Sequence, residues 1–527
     1  MMTANGWDQH RSARGGSFLA RKAAAFQADR SGSMAIIAAV LILPILLFIG
    51  LAVDLSFAYG KRLHIQDAAD NTVLAVIKEV GVLDDTELTT LANKMMAANL
   101  PSGEDFTITK MDIGRDPASV KLDAKITYKT SFMQLAHIET VDVSVSSEAV
   151  SDGASLEIAL VLDNSGSMSG SRISSLRDAA KNFTNRLFQG SNSSDKISIA
   201  VVPFSGMVNV GANQRGSLWL DMGALNTEYQ EMGLAEGANR WDLYDGLKNV
   251  TWRGCVEARK HPYDVEDTLP TIVTPHTLFM PSFAPDEPDS GSYYNNYLTD
   301  SSSGHKKGYG GYWTDNSSSS DEDLSKYANA YADTSYYAGT QKGPNFLCDS
   351  DPITPLTGTK STILSAINAM DAYGGTNMHL GVMWGWRVLS PGTPFTEGRA
   401  YTEKDNAKII VLMSDGANQI IGTDNNLMSV YSAYHYAKFG RLGTPSVSSS
   451  KLESQMNERT LEACTNAKAA GIKIITIAFD IDNKAATNLL KSCASSSAYA
   501  YTADNTSELE ARFEEIAKGL QKMRIAF

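Results

Sequence analysis

Residues Ile158 to Met168 read IALVLDNSGSM. The apolar run Ile158 to Leu162 empties into Asp163-Asn164-Ser165-Gly166-Ser167, as a buried strand does where it ends in a polar loop. Asp163 brings a carboxylate, and Ser165 and Ser167 bring two hydroxyls at steps of two. These are hard oxygen donors, which suit Mg²⁺, Mn²⁺ or Ca²⁺ rather than zinc. Open α/β sheets bind ligands outside the carboxyl ends of their strands, where such a loop would lie. A second buried run, Lys408 to Met413, ends in Ser414-Asp415-Gly416 and sets another carboxylate, Asp415, at a strand end. Taken alone, residues 163–167 also read as a plain Ser/Asn/Gly turn that caps a helix.

The elements around these loops alternate between strand and helix. Apolar runs predict strands at Ile197 to Phe204, Ile472 to Asp480 and Ala498 to Thr502. Helical spacing joins Ile173, Leu176, Ala180, Phe183 and Leu187 in one stripe, and Leu509, Phe513, Ile516, Ala517 and Leu520 in another. Shorter helices are predicted around Ile363 to Met370, from Arg459 to Ala470 and from Ala485 to Cys493. This alternation predicts an α/β fold with a doubly wound, mostly parallel sheet flanked by helices.

Asp-x-Ser-x-Ser at a strand end resembles the metal-ion-dependent adhesion site of von Willebrand factor A (vWA) domains. The resemblance implies that Thr376, after the Gly374-Gly375 turn, and Asp415 complete the site with Asp163, Ser165 and Ser167. In that family the serines bind a Mg²⁺ (or Mn²⁺ or Ca²⁺) ion directly, and a partner protein's carboxylate fills an open position. That is a binding mechanism, and an enzyme is not expected. The chain has no G-x-S-x-G elbow, P-loop or H-E-x-x-H motif. His379, close to Thr376 in sequence, reads as a packing or loop residue rather than a base.

The vWA-like region spans 155–527, with polar insertions at 206–355 and 418–454. Trp219, Trp241, Trp252 and Trp313 predict that parts of the larger insertion fold, either as a partner-facing module or as a plain cap. Ser301 to Asp323 reads as an exposed loop whose acidic run, Asp321 to Asp323, is solvated rather than a Ca²⁺ site. Cys255 and Cys348 lie in this insertion, and Cys464 and Cys493 near the ends of successive helices. Two local disulfides are the simplest pairing in an oxidising compartment, and four free thiols are the alternative.

The N-terminal region has a different plan. Residues 1–33 carry Arg11, Arg14, Arg21, Lys22 and Arg30 against Asp8 and Asp29. Met34 to Val53 has no charge and is long enough to cross a bilayer. Its basic flank predicts a cytoplasmic N-terminus and an exported remainder; a cleaved signal peptide is the alternative. Residues 54–150 read as a helix from Asp54 to about Asn99, with the stripe Ile65, Ala69, Val73, Val76, Ile77 and Val80, followed by strands in which Val120, Leu122, Val141, Val143 and Val145 alternate with polar residues. This makes a small α+β stalk of pilin-like plan. Residues Ser31 to Ala75 resemble the N-terminal segment of TadG-like proteins of tight-adherence (Flp) pilus systems, which also precedes an exported vWA domain. The fifth residue after Gly32 is Ile37, where prepilins have Glu, so a retained anchor is expected rather than a processed subunit.

The chain of 527 residues carries a net charge of -13, which disfavours nucleic acid as a partner. The function expected from these readings is that of a bacterial inner-membrane, single-pass protein whose exported vWA domain binds pilus or pilus-assembly subunits that offer a carboxylate. A surface adhesin that contacts host or matrix is one alternative. A non-catalytic subunit of an enzymatic complex is another.

Overall fold

The computed structural model describes residues 33–526, apart from 116–117, 152–153, 227–238, 288–294, 300–323, 338–339, 421–430 and 447. Trp313 and the acidic run at 321–323 therefore lie outside the described residues. The chain divides into two units, Met1–Val150 and Ser151–Phe527.

In the first unit, α1 (Ser33–Val76) contains Pro44 and begins with an apolar stretch whose side chains are largely exposed. Mean hydropathy reaches 3.1 there, so this helix is long and apolar enough to cross a membrane. Beyond Asp54 the character changes. Ile65, Ala69, Val73 and Val76 are buried on one face, which packs against α2 (Asp85–Asn99) and the sheet. The stripe therefore faces its own core. Helix is not continuous from Asp54 to Asn99, as periodicity alone suggested. A 3₁₀ turn at Ile77–Glu79 ends the first helix, and Asp84 starts the second. The Asp84 carboxylate accepts from the Glu87 N–H (2.8 Å), and the Asp84 N–H donates to the Glu87 side chain (3.0 Å). This capping box satisfies donors that a new helix end would leave open. Strands β1 (Phe106–Arg115), β2 (Ala118–Lys129) and β3 (Thr140–Ser151) form a sheet in that order. Val120, Leu122, Val143 and Val145 point into the core, at the period of two that a half-covered sheet requires.

The second unit is built on six strands. The first part runs β4 (Ser155–Asp163), α3 (Ser171–Phe188), β5 (Ile197–Phe204) and then the larger insertion, which contains α4 (Arg240–Gly246) and a hairpin of β6 (Tyr336–Tyr337) and β7 (Thr340–Gln341). After it come β8 (Thr354–Thr357), α5 (Lys360–Ala369), α6 (Met378–Leu389), β9 (Asn406–Ser414), α7 (Ser449–Ala469), β10 (Lys473–Phe479), α8 (Lys484–Cys493), β11 (Ala500–Ala503) and α9 (Thr506–Ala526). Sheet order is β11-β10-β9-β4-β5-β8. Every pairing from β11 to β5 for which a register is defined is parallel, and β8 runs antiparallel to β5 at the edge. Counted within this sheet and read from β8, the strands follow the order 3-2-1-4-5-6 of a doubly wound fold. This is the expected fold class: a mostly parallel sheet between helices, with large insertions, after an apolar N-terminal helix. Edge strand β8 carries no apolar run (Thr-Pro-Leu-Thr) and was not foreseen.

Alternation along β4 divides the core. Leu156, Ile158, Leu160 and Leu162 face α3, α5 and α9, whereas Ala159 and Val161 face α6, α7 and α8. Helix α6 lies directly on the sheet because it has Gly381 and Gly385 four residues apart. A Cβ on Gly385 would sit 2.4 Å from Val161 Cγ2. The fully buried α6 is then covered by the insertion. Trp219, Tyr244, Phe279 and Phe283 share one core with Trp384 of α6, and the Phe279 and Trp384 rings lie 5.1 Å apart. Cys255 is joined to Cys348 within the insertion, and Cys464 to Cys493 between α7 and α8. Helix α7 starts at Ser449, ten residues before the expected Arg459. Leu452 and Met456, both buried, extend its stripe into a stretch whose serines read as loop.

Candidate metal centre

The DNSGS loop follows β4 without a break. Asp163 ends the strand, Gly166–Met168 make one 3₁₀ turn, and α3 begins at Ser171. Backbone bonds fix the loop from two sides. The Asn164 N–H donates to the Phe204 carbonyl at the end of β5 (2.7 Å), and the Gly166 N–H donates to the Gly374 carbonyl (2.9 Å). Gly374 adopts φ +71°, a left-handed conformation that a side chain would strain. This turn carries the chain to Thr376, which is buried. A Cβ on the neighbouring Gly416 would lie 3.8 Å from Thr376 Oγ1. Asn377 then caps α6, accepting from the Leu380 N–H at 3.2 Å.

Four of the five predicted residues form one hydrogen-bonded chain. Asp163, wholly buried, accepts from the Ser165 N–H (2.8 Å) and the Ser414 hydroxyl (2.6 Å). Ser165 and Ser167 hydroxyls are 2.9 Å apart, and Ser167 donates to Asp415 Oδ1 at 2.7 Å. Thr376 flanks this chain through Gly416. The carboxyl ends of β4 and β9 bring these groups together across more than two hundred residues of sequence.

Charge at the site is unbalanced. Burial, and then the Asp415 carboxylate, push the Asp163 carboxyl up to about 7, although Ser414 and Ser165 donate to it. The cationic neighbour is Arg172, in the first turn of α3. Its guanidinium donates to Asp415 Oδ2 at 2.9 Å and to Asp480 Oδ2, at the end of β10, at 2.5 Å. Arg172, Ser414 and Asp480 were not singled out from sequence. Asp480 had one signal, a carboxylate at a predicted strand end, while nothing local linked Arg172 to it. His379 is fully buried on α6. Its Nδ1 meets the Tyr434 hydroxyl (2.6 Å) and its Nε2 the Asp264 carbonyl (2.9 Å), and burial lowers its pKa to about 4. It is a packing residue.

The donor set fits a hard divalent cation. Two carboxylates and two hydroxyls converge, all through oxygen, and the Asp163 carboxylate lacks enough positive charge to hold its ordinary pKa. Among the described residues no group of three or more His, Cys, Asp and Glu is disposed to bind a metal, and the oxygen donors gathered here include the Ser165 and Ser167 hydroxyls.

Residues 32–79 match the family model described as Flp pilus-assembly TadE/G-like (Tad). No curated protein matches the chain. Among solved structures, it is similar to the pilus adhesin SpaC from Lactobacillus rhamnosus GG, at 14% identity and TM-score 0.31, over 80% of this chain and 35% of that one. The chain thus spans about a third of SpaC's length. The vWF domain of the type V pili tip protein Mfa5 from Porphyromonas gingivalis is similar at 12% identity and TM-score 0.32, over 70% of this chain and 95% of that one. Proximal thread matrix protein 1 from the mussel byssus, with a zinc-occupied MIDAS motif, is similar at 11% identity and TM-score 0.28, over 70% and 46% respectively. The fold assignment rests on the strand order and register given above. Residues 32–79 thus match the TadE/G-like Flp pilus-assembly model, and this segment precedes an α/β domain with a doubly wound, mostly parallel sheet.

Proposed function

We propose that this protein is a membrane-anchored, exported vWA protein that binds protein partners through a divalent cation, in the assembly of a Flp-type pilus. The observation that carries the reading is the gathering of Asp163, Ser165, Ser167, Thr376 and Asp415 at the carboxyl edge of one sheet. The hydroxyls of Ser165 and Ser167 would hold Mg²⁺, Mn²⁺ or Ca²⁺, with Asp163, Thr376 and Asp415 bound directly or through water. The bound ion would supply an electrophilic position for an incoming carboxylate. The chain's own residues do the rest. Asp163 orients the loop through the Ser165 N–H, Ser414 holds Asp163, and Arg172 steadies Asp415 from the α3 side. Partners are therefore pilus or pilus-assembly subunits with an exposed Asp or Glu. The basic flank of α1 supports a cytoplasmic N-terminus in the inner membrane, and the two disulfides support an oxidising location for the rest.

Titration calorimetry with Mg²⁺ and Mn²⁺ on the detergent-solubilised protein tests the site. One saturable site is expected, lost in Asp163→Ala while the circular dichroism spectrum is retained. A folded wild type that binds neither ion would overturn the metal-dependent reading.

A further inference from the structure

We propose that the β2–β3 connection, residues 130–139, is a second membrane contact: a short apolar loop seated in the outer leaflet beside α1. This rests on the reading that α1 crosses a bilayer. The connection reads TSFMQLAHIE, and its apolar side chains are not tucked away. Leu135 is 70% exposed, Phe132 45% and Ile138 44%, at the tip of a hairpin where water-facing loops are polar.

The loop lies against the apolar stretch of α1. Phe132, Met133 and Ile138 line a crevice of about 300 Å³ together with Pro44, Phe48 and Leu51 of the helix. Pro44 to Leu51 covers about 10 Å of helix axis. All three helix residues belong to the uncharged run Met34 to Val53, so any bilayer that covers the end of that run also reaches the loop. Gly50 permits this approach, since a Cβ there would meet Phe132 Cβ at 2.6 Å.

Entry into lipid requires that backbone groups be satisfied within the protein. One helical turn beyond Gly50, on the same face, Asp54 is 1% exposed and accepts from the N–H groups of Ser131 (2.9 Å), Phe132 (2.8 Å) and Met133 (2.7 Å). Leu135, His137 and Ile138 donate to the carbonyls of Phe132, Gln134 and Met133, and the Gln134 side chain donates to the Ser131 carbonyl. Six backbone N–H groups between Ser131 and Ile138 are thus bonded within the protein while the loop's apolar side chains remain outside. The occupant that matches is the acyl-chain region of the bilayer, because the exposed apolar surface of the loop continues that of α1. Two contacts to one leaflet would fix the tilt and rotation of α1 and set Asp54 at the boundary.

Photo-crosslinking on the full chain in phosphatidylethanolamine/phosphatidylglycerol vesicles tests this, with p-benzoylphenylalanine replacing Phe48, Leu135 or Thr86 in turn. Thr86 is an exposed control past the far end of α1. All three side chains lie at the surface, so the substitutions leave the packing in place. Lipid adducts are expected at 48 and 135 and absent at 86. Adducts at 48 with none at 135, or with protein adducts at 135, would overturn the loop proposal and leave the anchor standing. No lipid adduct at 48 would overturn the anchor and the proposal with it.

Discussion

Asp163 links proton and metal chemistry at the site. Its carboxyl is pushed from the ordinary 3.8 to about 7, first by burial and then by Asp415. A raised acid pKa means that the folded, metal-free protein holds a proton which the unfolded chain has already released. Its stability contribution therefore falls as pH rises from about 4 to about 7. Bound metal competes with that proton. Mg²⁺ affinity is expected to weaken about tenfold per pH unit below 7 and to level off above it, which calorimetry between pH 5 and pH 8 would read. A flat profile would mean that Asp163 is ionised without metal. Arg172 acts in the opposite sense, as a fixed positive charge on Asp415 that a divalent ion must tolerate. Arg172→Ala is expected to tighten Mg²⁺ binding by an order of magnitude or so and to lower the melting temperature of the metal-free protein. Weaker binding in this variant would show that Arg172 chiefly orients Asp415.

At the scale of elements, the two insertions are held together by a buried ionic knot. Arg240 of α4 and Arg441 of the smaller insertion both pair with Glu257, and the Arg240 contact is 2.6 Å. Burial pushes the Glu257 carboxyl upward, but the two guanidiniums outweigh it and hold the pKa at about 2. A depressed acid pKa stabilises the fold above the ordinary 4.5, and that contribution is lost as pH falls through about 2. Glu257→Gln removes the carboxylate that the two buried guanidiniums share. It is expected to destabilise the second unit by about 3–5 kcal/mol, read by chemical denaturation. A change below about 1 kcal/mol would mean that the arginines find other partners.

Two cross-links constrain the second unit. Cys255–Cys348 closes a loop of 93 residues and Cys464–Cys493 one of 29. Loop-closure entropy assigns about 4.5 kcal/mol to the longer loop and about 3.5 kcal/mol to the shorter. The double variant Cys255→Ser with Cys348→Ser is therefore expected to lose more stability than Cys464→Ser with Cys493→Ser, and to expose the aromatic cluster over α6. Denaturation followed by tryptophan fluorescence would rank them. The reverse order would place the insertion's stability in its packing instead.

Much of this protein was legible in its sequence because the signals are local. Strand β5 was located end for end, since eight residues of nearly continuous apolar character have few other fates in a sheet covered on both faces. The DNSGS loop was legible for the same reason: a strand end and three oxygen donors lie within ten residues. Short edge strand β8, the break after Val76 and the early start of α7 were not, because a four-residue polar strand, a cap and a serine-rich first turn carry weak periodicity. By itself, then, the sequence located the five parallel strands of the sheet, the helices α3, α5, α7, α8 and α9 and the apolar N-terminal stretch, and it named the candidate donors; helices α4 and α6 and strand β8 carried no signal that was read. Tertiary structure alone decided that Arg172 meets Asp415 and Asp480, that Glu257 joins two insertions, and that Asp54 caps a loop 77 residues away. The reason is physical. Element formation reads neighbours a few residues apart, whereas ion pairs and caps of this kind exist only once sheet pairing has brought distant chain ends within hydrogen-bond reach.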